Sequence, residues 1–232
     1  EYCTFNKKYD YLLPLQCKIS EFPIFWNSYQ VDDNLIKTKK EACRNKFIIG
    51  YVGSIVFYEG IIFLINSIKK IIKEYNFKIE LHLVGDITPL IEENLKYANI
   101  DINNIFNLDF IKLYGKIPHT EINNIILNFD LYVIPRLDLP VTNIVSPIKP
   151  YEPMSMKIPL LMSDCDCLKD ISQNGKNCML FNKNNENNLI EKIINIIHKG
   201  YPQELLENGY NFIKNERNWV NIIEKIDLYN MI

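Results

Sequence analysis

Glycine is scarce in this 232-residue sequence, eight in all, and none forms the fingerprints by which nucleotide sites are usually read. The nearest stretch runs Gly50-Tyr51-Val52-Gly53-Ser54. It is neither Gly-x-Gly-x-x-Gly nor Gly-x-x-x-x-Gly-Lys-Ser/Thr, which disfavours a dinucleotide site and an ordinary P-loop. Ser54, Ser146 and Ser163 have no Gly-x-Ser-x-Gly setting. His82, His119 and His198 have no constellation for nucleophilic catalysis. The six cysteines (3, 17, 43, 165, 167 and 178) make no Cys-x-x-Cys pair. Cys165-Asp166-Cys167 suits neither zinc ligation nor a disulfide, so reduced, buried thiols of a cytosolic protein are expected and no metal site is assigned. A net charge of -2 and a pI near 6.0 supply no basic field for nucleic acid. No apolar run approaches the roughly 18 residues of a membrane span, and no signal peptide opens the sequence.

What is present is a full core's worth of apolar side chains, 47% of the sequence, enough for one domain plus an appendage. Residues 1–45 lack a clear period and read as an N-terminal extension or interdomain connection; with glutamate first, the chain reads as part of something longer. From Lys46 the pattern is regular. Residues 47–52 form a β-branched, aromatic run stopped by Gly53, a buried strand. Between 58 and 75, Ile61, Leu64, Ile65, Ile68, Ile71 and Ile72 recur at spacings of three and four, the stripe of a one-faced helix.

Further strands are expected at 78–84, 111–114, 130–134, 159–162 and 178–181. Helices are expected at 89–97, 118–129, 149–156, 186–198, 203–215 and 218–229, with a loop from 98 through Asn107. This alternation predicts the fold class α/β: a Rossmann-like three-layer domain over residues 46–232 with a mostly parallel sheet. Right-handed crossovers put every strand-to-helix loop on one edge. That edge would collect Gly53-Ser54, Gly85-Asp86, Gly115-Lys116, Arg136 and residues 146–152.

The segment VSPIKPYEPMSM (145–156) carries the most information. It places a lysine and a glutamate around the start of a helix, where unpaired N–H groups favour an anion, at a strand's carboxyl end where ligands of open α/β sheets bind. Arg136 directly follows a strand and could offer its planar fork to a phosphate; a salt bridge to Asp138 is the plain alternative. Glu152 could accept two ribose hydroxyls, or merely complement the helix dipole. Gly53 could admit a phosphate to the backbone, or simply form a tight turn. Met154 and Met156 read as core, His82 as a hydrogen-bonded, half-buried strand residue, and His119 as a helix cap.

Taken together, YVGSIVFYEG (51–60), LVGD (83–86), LYGKIPHTEI (113–122), DLYVIPR (130–136), SPIKPYEPMSMKIPLLMSD (146–164), LKDI (168–171) and ERNW (216–219) resemble the donor-binding half of GT-B glycosyltransferases. The likeness is to retaining family 4, the glycosyltransferase group 1 family, and spans roughly residues 46–232. It implies a nucleotide-diphosphate-sugar site, UDP- or GDP-linked, in the C-terminal one of two Rossmann-like domains, with the N-terminal domain outside this chain.

By resemblance, Glu152 binds the ribose, and Gly53, Ser54, Arg136, Ser146, Ile148 and Lys149 hold the diphosphate. Gly115, Lys116 and Ile117 form the base-contacting loop. Two departures stand out: the family's first glutamate falls at Ile144, leaving Asn143 as the nearest polar substitute near the sugar, and Ser54 and Glu59 occupy the region of a basic pair common after the first strand. No catalytic residue is assigned.

The resemblance implies a hexosyltransferase-type enzyme, inactive without its N-terminal domain and needing no metal or cofactor. Its acceptor would be a carbohydrate or lipid-linked molecule in polysaccharide or glycolipid synthesis, and its location the cytoplasm, at the inner face of the membrane. The departures motivate a second reading, a non-catalytic nucleotide-binding or assembly module. A phosphorylated receiver would need more acids than Asp86.

Overall fold

In a computed structural model the described residues are 45–97 and 101–218, with Asp32, Asn34 and Ile36. The expectations for residues 1–45, apart from these few positions, and for a helix at 218–229 lie outside them. Among the described residues six strands, β1 (Phe47–Val52), β2 (Ile79–Val84), β3 (Ile111–Gly115), β4 (Leu131–Ile134), β5 (Leu160–Ser163) and β6 (Met179–Phe181), make one sheet in the order β3-β2-β1-β4-β5-β6. Every pairing is parallel, with Phe47 opposite Ile79 and Tyr132 opposite Leu160. Such a sheet must be covered on both faces, and the strands accordingly carry apolar runs rather than alternation.

The helices are α1 (Ile61–Tyr75), α2 (Pro89–Tyr97), α3 (Asn103–Phe106), α4 (His119–Ile126), α5 (Pro140–Ile144), α6 (Tyr151–Ser155), α7 (Asp166–Ser172), α8 (Glu186–Lys199) and α9 (Gln203–Glu216). On one face α1 buries Ile61, Leu64, Ile65, Ile68 and Ile71 and packs beside α8, which buries Leu189, Ile190, Ile193 and Ile196. On the other, α4, α6, α7 and α9 cover Ile48, Val52, Tyr132, Ile134, Leu160 and Met162. Met154 and Met156 belong to this second core, as their sequence setting suggested. Among the described residues no helix is long and apolar enough to cross a membrane.

The structure departs from the sequence reading in its short helices. The segment expected to be a loop up to Asn107 contains α3, and α5 and α7 stand where no helix was expected. The helix expected from Lys149 starts only at Tyr151 and is five residues long. Pro150 is its N-cap and Pro153 lies within it, and the C-cap Met156 already leaves helical geometry. So short a helix has little macrodipole, and any anion there must be met by local N–H groups and side-chain cations. His119 opens α4 without capping it; Pro118 holds the cap position.

Candidate functional site

The chain order reverses between β1 and β4, which are neighbours in the sheet although β2 and β3 lie between them in sequence. A reversal of this kind opens a crevice at the carboxyl ends of the two strands, the usual ligand position in open α/β sheets. β1 exits into Gly53 and Ser54, and β4 into Pro135 and Arg136.

The loops at this edge touch. Gly53 has φ +138 and Gly85 has φ +134, values that side-chain-bearing residues rarely adopt. A Cβ on Gly85 would stand 2.1 Å from the Gly53 carbonyl oxygen, and one on Gly53 would stand 2.4 Å from Cε of Lys149. The Gly85 amide donates to the Gly115 carbonyl at 2.9 Å, bringing in the third loop. Loops that are 30 residues or more apart in sequence thus form one rim, as the crossover rule required.

Behind the rim lies a buried charge cluster. Glu59, 2% exposed, ends the 3-10 turn that follows β1. Its Oε1 accepts from Nη2 of Arg136 at 2.9 Å and from Nε at 3.2 Å, and lies 2.9 Å from Nζ of Lys149. Its other oxygen, Oε2, is buried without a hydrogen-bond partner among the described residues. Burial pushes the Glu59 carboxyl upward, but Lys149 and Arg136 outweigh it and hold the group below the ordinary glutamate range. Burial likewise opposes the charge on Arg136, and Glu59 outweighs it, raising that group. For Lys149 burial wins and the ammonium's pKa is lowered, with Glu59 opposing. Two cations against one carboxylate leave this cluster with one positive charge.

Arg136 therefore does not project freely onto the edge. It is 6% exposed, its partner is Glu59 rather than Asp138, and Nη1 donates to the Val145 carbonyl at 2.8 Å. Asp138 pairs instead with Lys183 at 2.8 Å. Arg136 thus tethers the start of the Ser146–Lys149 segment to the end of β4. The Asn143 amide is engaged on both sides: it donates to Asp138 at 2.6 Å and accepts from the Asp166 backbone at 2.9 Å, bracing α5 against α7.

The open part of the rim belongs to Ser54, Ile148, Lys116 and Glu152. Ser54 and Lys116 are exposed, and Ile148 is 51% exposed, while Ser146 is half-buried. Gly115 turns at φ 66, and Ile117 leans against the second core. Glu152 has a side chain 15% exposed, and its carboxylate accepts no hydrogen bond among the described residues; Nε2 of the His119 imidazole stands 3.9 Å from it. Burial raises the Glu152 pKa, with His119 and Lys149 opposing. A carboxylate part-desolvated and unbonded at the mouth of a crevice is ready to accept two hydroxyl donors. Among the described residues no group of three or more His, Cys, Asp and Glu side chains could hold a metal ion. Cys165, Cys167 and Cys178 are buried and free, as expected; the other cysteines lie outside the described residues.

Sequence reasoning passed over three residues. Glu59 registered only as the absence of a base, although Arg136 and Lys149 both needed a counter-charge once buried. Tyr51 read as core, and His119 as a cap.

The model of the family described as "Glycosyl transferases group 1" matches residues 46–199, well over half of the chain. The chain belongs to that family. It is 30% identical over 165 residues to an uncharacterized glycosyltransferase of Methanocaldococcus jannaschii, covering 71% of this chain and 42% of that protein. Its fold is similar to that of Anabaena HepE, solved in complex with UDP and glucose: TM-score 0.74, 16% identity, 93% of this chain and 58% of that one. It is also similar to the C-terminal domain of the group 1 protein LpcC from Francisella tularensis: TM-score 0.56, 18% identity, 75% of this chain and 87% of that domain. These likenesses establish a GT-B-type, Rossmann-like glycosyltransferase fold. The chain spans less than half the length of the curated relative.

Proposed function

We propose that this chain is the donor-binding domain of a retaining glycosyltransferase that takes a hexose from a UDP- or GDP-linked sugar and passes it to a polysaccharide or glycolipid acceptor. Glu152 carries the proposal: it presents an unbonded, part-buried carboxylate at the crevice between β1 and β4, beside the loop segment that also brings up the half-buried Lys149. In this reading the ribose hydroxyls donate to Glu152. The diphosphate lies against the Gly53–Ser54 and Ser146–Lys149 backbone, and the base rests on residues 115–117. The single positive charge left on the Glu59–Arg136–Lys149 cluster stabilises the leaving diphosphate as the glycosidic bond breaks, so the domain needs no metal or cofactor of its own. Arg136 acts by holding Glu59 and Val145, and Asn143 by bracing α5 near the sugar.

The N-terminal partner domain and the acceptor pocket lie outside residues 46–232. In this reading the enzyme works in the cytoplasm and meets a lipid-linked acceptor peripherally at the inner face of the membrane.

A second reading, a non-catalytic nucleotide-binding or assembly module, is favoured by Ile144 at the family's first glutamate position and by the engagement of both cations with Glu59. Titration calorimetry with UDP, GDP and their sugars on the protein carrying both domains tests the primary reading. Binding that Glu152→Ala weakens supports it; no nucleotide binding at all overturns it. Binding without any sugar transfer or hydrolysis would select the second reading.

A further inference from the structure

Two tyrosines are fully buried on the neighbouring strands β1 and β4, and their hydroxyls do different things. Tyr132 on β4 donates to the Val52 carbonyl at 3.2 Å, inside the strand β1, whose position the sheet ladder already fixes. Tyr51 on β1 reaches past the strand end instead. Its hydroxyl donates to the Ser54 carbonyl at 3.1 Å and accepts from the Lys149 ammonium at 2.8 Å. The ammonium also lies 5.1 Å from the Tyr51 ring centroid, within cation–π range.

A buried tyrosine needs some partner for its hydroxyl, and a carbonyl alone would serve, as it does for Tyr132. The Tyr51 partners are specific in another way: one belongs to the glycine loop after β1, the other to the segment leading into α6. Lys149 is in turn clamped by Glu59, and Gly53 leaves room for its stem. The hydroxyl stays protonated, because burial and then the Glu59 charge push its pKa well above the usual tyrosine range. It can therefore act as donor to Ser54 and acceptor from Lys149 at once.

Resting on the donor-site reading above, we propose that Tyr51 is a positioning residue for the diphosphate: its hydroxyl locks the Gly53–Ser54 loop and the Lys149 ammonium into one geometry. It touches no ligand itself. Removing the hydroxyl leaves the ring and its packing but frees the loop peptide to rotate and the lysine to drift, so binding loses the part that depends on phosphate charge and keeps the part that depends on ribose and base.

The test compares UDP with UMP by calorimetry, on the wild-type protein and on Tyr51→Phe, Lys149→Met, the double variant and Tyr132→Phe. Tyr51→Phe is expected to weaken UDP about tenfold more than UMP, a selective loss of about 1.4 kcal/mol. It should have no further effect once Lys149 is methionine, since the two act as a unit. Tyr132→Phe, which removes an equally buried hydroxyl, should leave the UDP-to-UMP ratio unchanged. Equal weakening of UDP and UMP by Tyr51→Phe, or additive losses in the double variant, overturns the proposal while leaving the donor site standing. The same variants are read with GDP and GMP if the wild-type protein prefers guanine; a wild-type protein that binds neither pair overturns both.

Discussion

The two faces of the sheet are built from different side chains and do different work. The α1/α8 face is aliphatic, chiefly isoleucine and leucine, on helices of 15 and 14 residues with unbroken apolar stripes. The opposite face mixes Tyr132, Tyr151, Met154, Met156, Cys165, Cys167 and Phe212 under helices of eight, five and seven residues besides α9. Long helices secure a sheet efficiently but place few chain ends at its edge. Short helices expose more loop backbone, and Ser146–Lys149, Glu152 and His119 all come from that side. On the proposed donor-site reading, the difference teaches that stability and ligand recognition are divided between the faces, with Glu59 and Tyr51 as the joint between them.

The comparison can be broken hardest at that joint. Glu59→Ala leaves Arg136 and Lys149 buried without their counter-charge, and chemical denaturation should show a loss of roughly 3–5 kcal/mol. On the aliphatic face, Ile68→Ala opens a cavity in a fully buried position and should cost about 3 kcal/mol by the same measurement. Below its unfolding transition that variant should bind UDP as the wild type does.

Glu152→Ala should do the reverse. Calorimetry should show UDP binding weakened about tenfold, which is about 1.4 kcal/mol, while denaturation shows no loss of stability, because the carboxylate it removes is part-desolvated and accepts no hydrogen bond. A large stability loss with binding intact would undo the division between faces.

The smallest effect is in pH dependence, where the two glutamates have opposite signs. The Glu59 pKa is depressed in the folded state, so its contribution is present above the ordinary glutamate range and is lost as pH falls through its lowered value. The Glu152 pKa is raised, so its contribution is present below the ordinary range and is lost as pH rises through the raised value. On acidification Glu152 takes its proton first: UDP affinity should fall slightly before stability does. His119 and Lys149 are the basic groups facing that carboxylate. A Glu152→Gln variant should lack this early step in a calorimetric pH series.

All six strands and the long helices were legible because each carries enough apolar residues at one period to overrule its neighbours: residues 47–52 as a continuous run and α1 as a three-and-four stripe. The α3, α5 and α7 helices were not, since four to seven residues hold no full stripe, and their helicity comes from local closures such as Thr142 Oγ1 accepting from the Leu139 amide. At the rim, chain order and crossover handedness sufficed to gather the glycine loops with residues 146–152. Which charges pair was beyond reach: Glu59 and Lys149 are 90 positions apart, and Arg136 looked toward Asp138 only because the two lie two positions apart in sequence.

A co-crystal structure with UDP tests the central claim most directly. The account predicts ribose hydroxyls within hydrogen-bond distance of the Glu152 carboxylate, with the diphosphate against Gly53, Ser54 and Lys149. A nucleotide seated elsewhere on the sheet, leaving Glu152 untouched, would contradict it.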